Sequence, residues 1–274
     1  MQEISWTSFG RETPISKVGR SLVPVGIFPF DLAPSIDEKT PFVNLTSPEG
    51  EDYLMNIVGT AFQAGENKLV TCEHVVSELL KVEKKRRHYI LGRNYRGSSV
   101  LAIPYSIKIS VPFIDDRTRQ PNPKVDLAAV YCPVRSTPER PYETPPVTWG
   151  DSGRLGVGDQ VIVGGYPYGT DMFLFAQSNR GLIQPTFYPG IISAILPATK
   201  TDETRLLQIS TPLAGGISGG VVVLPETGEV VGMVTSGVQL PLDESHNRVI
   251  PLPMSYAIPS EVIKPFVENI DFKK

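Results

Sequence analysis

Short apolar runs, many of them closed off by glycine or proline, recur along the chain. Residues 160–164 and 220–224 are rich in valine and isoleucine and bounded by glycine, and residues 67–72 and 127–131 have the same strand-like character. Together they predict antiparallel sheet as the dominant structure. Helix is predicted over residues 75–84, directly after one of these runs, and over residues 259–269. Pro259 suits a helix start, whereas Pro265 is placed to break the second helix. Proline-rich residues 133–146 read as the crossover between two β units. No repeat, heptad array or low-complexity tract interrupts the pattern.

Composition agrees with a turn-rich β protein: there are 24 glycines and 26 prolines among 274 residues, and 41% hydrophobic content suffices for a sizeable core. A formal charge of −3 supplies no global attraction to nucleic acid, and the basic run at residues 81–87 is short enough to read as a solvated face. Residues 1–6 lack the charged and apolar regions of a signal peptide, and no apolar run approaches a membrane span, so the expected location is cytoplasmic. Cys72 and Cys132, the only two cysteines, fit a reducing compartment, although a disulfide between them stays open. Two cysteines and three scattered histidines have no zinc spacing, and residues 164–169 lack the lysine of a phosphate loop, so neither a metal nor a cofactor is implied. Asn44-Leu45-Thr46 matches a glycosylation sequon, a pattern common by chance.

Candidate chemistry centres on Gly216-Ile217-Ser218-Gly219-Gly220. Glycines around a serine let the backbone approach a substrate closely, and a tight turn there can aim successive N–H groups at one point where an oxyanion forms. A glycine-rich turn between strands reads much the same way. Of the three histidines, His88 and His246 lie in polar surroundings and read as surface residues. His74 follows the strand-like residues 67–72 and precedes Val75-Val76, which predicts an imidazole at a strand end, either as a base or as a satisfied core histidine. Asp126 opens the apolar run 127–131, where a carboxylate is costly to bury without a partner, and His74 Nδ1 would serve. Asp115 and Asp116 compete for that role, but prolines and arginines around them predict solvent exposure.

The chain resembles a trypsin-fold serine peptidase and is most similar to the protease domain of the HtrA (Deg) group. That group's Gly-Thr-x-Phe strand and histidine motif are matched by Gly59-Thr60-Ala61-Phe62 and Thr71-Cys72-Glu73-His74-Val75, and its acid motif by Asp126-Leu127-Ala128. Further matches are residues 155–161, the turn Gly165-Tyr166-Pro167-Tyr168-Gly169, the block around Ser218, and Tyr256-Ala257-Ile258-Pro259-Ser260. The resemblance implies an all-β fold of two six-stranded antiparallel barrels with a short C-terminal helix. Residues 1–58 would hold an N-terminal extension and first strands, 59–140 the barrel carrying His74 and Asp126, 141–258 the barrel carrying Ser218, and 259–274 the helix. Chain order His, Asp, Ser is that of chymotrypsin-like folds.

The same resemblance implies roles. Ser218 would be the nucleophile, His74 the general base and acid, and Asp126 the group that orients the imidazole. The N–H groups of Gly216 and Ser218 would form the oxyanion hole. Thr235-Ser236-Gly237 would pair with the substrate backbone as an added strand, with Thr235 hydrogen-bonding Asp126, and Pro212-Leu213-Ala214 would form the other wall of the primary pocket. None of these is charged, which implies a preference for small or aliphatic P1 residues in a polypeptide substrate. Ile217 departs from the family pattern, which places a polar residue before the serine. That substitution implies either a loop anchored by aliphatic packing or one that rests inactive until substrate or a regulatory protein partner binds. The group's usual C-terminal PDZ domain has no match before Lys274, so regulation is expected to differ. A catalytically silent binding module and an esterase using the same triad are the alternative functions.

Overall fold

The computed structural model of the chain describes residues 12–27, 42–44, 56–81, 88–90, 99–101, 109–110, 125–131, 144–168, 185–196, 205–241 and 249–272. His246, Asp115, Asp116, Cys132 and most of residues 133–146 lie outside them, so the expectations placed there are not addressed.

Helix α1 (Pro14–Gly19) leads into strands β1 (Leu22–Ile27), β2 (Phe42–Asn44), β3 (Asn56–Gly65) and β4 (Lys68–Thr71). Helix α2 (Glu73–Lys81) follows, then β5 (His88–Ile90), β6 (Ser99–Leu101), β7 (Ile109–Ser110) and β8 (Ala128–Tyr131). The rest comprises β9 (Gln160–Gly165), β10 (Thr186–Leu196), β11 (Leu206–Ile209), β12 (Val221–Val223), β13 (Val230–Pro241), β14 (Val249–Pro259) and α3 (Ser260–Asn269). The first unit is a six-stranded antiparallel sheet in the order β5-β1-β3-β4-β8-β7, open among the described residues; β2 and β6 pair separately. The second closes into a six-stranded barrel, β10-β11-β14-β13-β12-β9. The molecule is thus the trypsin-like β architecture that the sequence implied, with its short C-terminal helix.

Continuous apolar runs form strands here because both of their faces are covered. On β12, Val222 points into the closed barrel with Val161, Val163, Ile192 and Leu207. Its neighbours Val221 and Val223 belong to a second cluster shared with Phe62, Leu69 and Val130 of the first unit. Alternating side chains therefore feed two cores, and an unbroken valine triplet is what such a strand requires. β3 and β4 form a hairpin around Glu66-Asn67, where Asn67 takes a left-handed φ of +55°, a conformation asparagine tolerates.

Helix α2 begins two residues before the predicted start. Cys72 acts as its cap residue, with its carbonyl accepting from Val76 N–H, so His74 sits in the first helical turn instead of at a strand end. Helix α3 runs through Pro265 without breaking. Pro265 is exposed while Ile263 and Val267 are buried against the β core, and Lys68 Nζ donates to the carbonyls of Val267 and Ile270 at 2.8 and 2.9 Å. Packing and a cation on the last-turn carbonyls outweigh the single hydrogen bond that proline removes. No helix among the described residues is long and apolar enough to cross a membrane.

Replacing Lys68 by Met, which keeps the aliphatic stem but loses the cation, is expected to lower unfolding free energy by about 1–2 kcal/mol. Urea denaturation should show this as a lower midpoint at unchanged slope, with faster amide exchange over residues 266–270.

Candidate active site

Local chain geometry brings three distant segments to one seam between the units. His74 projects from the start of α2, Asp126 lies two residues before β8, and Ser218 occupies a turn three residues before β12. Asp126 accepts three hydrogen bonds. His74 Nδ1 lies 2.7 Å from its Oδ2, the His74 backbone N–H donates to Oδ1 at 3.0 Å, and Thr235 Oγ1 on β13 donates to Oδ2 at 2.8 Å. The predicted Thr235–Asp126 contact is therefore present, and it ties the second unit to the first. A partly buried carboxylate benefits from such partners, since a lone charge withdrawn from water is penalised.

These contacts set the protonation states. The hydrogen bond to Asp126 raises the His74 pKa above its usual value, with the carboxylate charge adding to it, against an opposing push from burial. Burial drives the Asp126 carboxyl upward, but the hydrogen bonds from His74 and Thr235 together outweigh it and hold the group below the usual carboxylate range. The imidazole side chain is 48% exposed and the carboxylate 26%, so the pair has one open side.

Ser218 Oγ donates to the carbonyl oxygen of Thr235 at 3.1 Å, and among the described residues it makes no hydrogen bond with His74. Thr235 thus bridges the site: its carbonyl holds the serine hydroxyl and its hydroxyl holds the acid. Gly219 shows why glycine stands here, because φ is +85° and an added Cβ would lie 2.0 Å from Thr60 O. Among the described residues, the N–H groups of Gly216 and Ser218 have no intramolecular acceptor.

Ile217 is 2% exposed and packs over Gly165, where an added Cβ would approach its Cγ1 to 2.7 Å. Its side chain belongs to the core cluster of the closed barrel together with Leu213 and Val234. Of the expected pocket residues, Ser236, Gly237 and Pro212 are exposed and Ala214 is partly covered, whereas Leu213 is buried in the barrel core. An added Cβ on Gly237 would meet the Leu213 Cβ at 3.3 Å, so the two predicted walls stand close together.

Cys72, for which the sequence left a disulfide with Cys132 open, is fully buried and a free thiol, and its Sγ donates to Val234 O at 3.2 Å. Burial pushes its thiol well above the usual range, and the Asp126 charge adds to this. It therefore stays protonated and acts as a donor, not a nucleophile. Donor atoms of Cys72, His74 and Asp126 lie within 4.8 Å of one another, a set that could hold a soft divalent ion, but the thiol and the imidazole Nδ1 are already engaged in hydrogen bonds. Thr60 and Tyr166 were also missed as contributors to the site. Their only signal was membership of the Gly59–Phe62 and Gly165–Gly169 motifs.

Residues 59–233 match the trypsin-like peptidase domain, and the chain belongs to that family. Among solved structures it resembles the HtrA-type protease AlgW with a tripeptide, at 16% identity over 94% of this chain and 62% of that one, with a TM-score of 0.53. Deg5 is similar at 18% identity over 96% of this chain and 94% of that one, also with a TM-score of 0.53. The chain spans about 62% of the length of AlgW. At these identities the likeness is one of fold. No curated protein matches the sequence. Fold and family together are those of a trypsin-like peptidase domain.

The raised His74 pKa contributes stability that is complete below its unfolded value of about 6.5 and lost as pH climbs through the folded value. The lowered Asp126 pKa contributes stability present above about 3.9 and lost as pH falls through the folded value. The pair should therefore support the fold most strongly between about pH 4 and 6.5. Asp126→Asn should move the His74 titration downward in proton NMR; an unchanged titration would show that the contact does not govern it.

Proposed function

We propose that the chain is a serine endopeptidase in which Ser218, His74 and Asp126 form the catalytic triad. The observation that carries this reading is the linkage at Thr235, which joins the serine hydroxyl to the carboxylate that holds His74. On substrate binding Ser218 Oγ turns from the Thr235 carbonyl toward His74 and attacks the scissile carbonyl carbon, passing its proton to His74. The N–H groups of Gly216 and Ser218 receive the oxyanion. Collapse of the tetrahedral intermediate breaks the C–N bond as His74 returns the proton to the leaving amine. Water, deprotonated by His74, then hydrolyses the acyl-serine. Asp126 keeps the Nδ1 proton in place and stabilises the imidazolium throughout.

Residues 235–237 would pair with the substrate backbone, so a substrate N–H can take the Thr235 carbonyl that the serine hydroxyl occupies at rest. The uncharged walls at 212–214 and 235–237, close together at Gly237 and Leu213, favour a small or medium aliphatic P1 residue. A catalytically silent binding module is the second reading, favoured by the serine's resting contact with Thr235 instead of His74. Apo geometry often relaxes such contacts, so this separation does not by itself disable a base.

Ser218→Ala should reduce peptide turnover by about 10⁵- to 10⁶-fold, on the scale seen for serine nucleophiles. Loss of nothing by this variant would exclude Ser218 as nucleophile. In wild type, kcat/KM should rise with pH through a His74 pKa above 6.5, because the neutral imidazole is the base. A peptide library should return alanine, valine or leucine at P1 over lysine, arginine and glutamate; a charged P1 optimum would show that another residue reaches the pocket.

A further inference from the structure

Thr60 on β3 uses nearly all of its polar capacity on the turn that carries Ser218. It is fully buried. Its N–H donates to Ser218 O at 2.8 Å, its Oγ1 donates to Gly216 O at 2.8 Å, and the same Oγ1 accepts the Tyr166 N–H at 2.9 Å. Behind it, Thr71 Oγ1 donates to the Thr60 carbonyl at 2.6 Å, holding β3 in place. Between the two carbonyls that Thr60 grips, Ile217 O accepts from Gly220 N–H at 2.8 Å, and on the far side Gly219 N–H donates to Val234 O. Three consecutive peptide planes of the turn are thereby pinned.

Resting on the serine-peptidase reading above, we propose that Thr60 is the positioning residue of the oxyanion site. Its hydroxyl, supplied by the other β unit, fixes the plane on which the Gly216 N–H depends. The Gly216 N–H is joined to the Gly216–Ile217 peptide through the two backbone torsions of Gly216, whose φ is +91°, and among the described residues only the Thr60 hydroxyl holds that peptide's carbonyl. The Ser218 N–H is set by the neighbouring plane, gripped by Gly220 and followed by the bond from Thr60 N–H. Neither proposed donor has an intramolecular acceptor among the described residues. Tyr166 N–H orients the lone pairs of Oγ1 so that its proton goes to Gly216. Ile217, buried over Gly165, adds apolar packing to the same turn.

The test compares wild type, Thr60→Val, Thr60→Ser and Thr60→Cys. A fluorophosphonate titrates the labelled Ser218 sites, and labelling rate, kcat and KM for a peptide are then expressed per titrated site. Valine keeps the shape and the backbone N–H but removes the hydroxyl. It should slow labelling and kcat by about 10- to 100-fold with KM within about threefold, as expected when oxyanion donors are misplaced. Serine should stay within about threefold of wild type, and cysteine, a weak donor of similar size, should fall between. A per-site rate in Thr60→Val equal to wild type would overturn the inference, as would a Thr60→Ser as slow as Thr60→Val. Loss of titrated sites at an unchanged per-site rate would mark a structural role only and also overturn it. Should valine not fold, cysteine at the wild-type per-site rate overturns it equally. Wild type that never labels at Ser218 would instead remove the peptidase reading on which this one stands.

Discussion

How closely the turn before β12 can approach β3 is the constraint on which the site depends. A Cβ on Gly219 would stand 2.0 Å from the Thr60 carbonyl oxygen and 2.4 Å from Thr71 Oγ1, so the two β units meet there at backbone distance. Only that proximity allows Thr60 N–H to reach Ser218 O and the Cys72 thiol to reach Val234 O. It also brings Thr235 within reach of Asp126. Each of these contacts crosses the seam, and each would lengthen together if the seam opened by the width of one methyl group.

Polar groups at such a seam are costly unless satisfied, and the satisfaction here is reciprocal. Asp126 is stabilised as a carboxylate by donors from both units, and its charge in turn favours the protonated form of His74 and the neutral form of the Cys72 thiol. The core follows the same logic. Phe62 and Leu69 from the first unit share one apolar cluster with Val221, Val223 and Met233 from the second. The seam is therefore bonded at its surface and packed beneath, which suits a site whose reacting groups come from different halves of the chain.

Much of this was legible along the chain. The valine and isoleucine runs at 160–164 and 220–224 announced strands, and both are strands of the closed barrel because alternate residues feed two cores. The serine between glycines, the histidine after a strand-like run and the acid before an apolar run were each visible as residue types in suggestive places. Helix α2 began earlier than its apolar periodicity suggested, because Cys72 caps it, and α3 passed through Pro265 because Lys68 and buried Ile263 and Val267 hold it. Lys68 reaches α3 from a strand far away in sequence, which leaves no local pattern to read.

Sequence by itself determined the β-rich class, the candidate serine, histidine and aspartate, and the glycines without which the turn could not close, since these follow from residue type and spacing to neighbours. Tertiary structure alone decided what those residues touch. It placed the Ser218 hydroxyl on the Thr235 carbonyl, turned Cys72 into a buried donor, and converted Thr60 from a residue in a strand motif into the grip on two carbonyls of the serine's turn. The physical reason is that hydrogen-bond direction and sub-ångström approach are set where two separately formed β units meet, and no stretch of either one encodes that geometry alone.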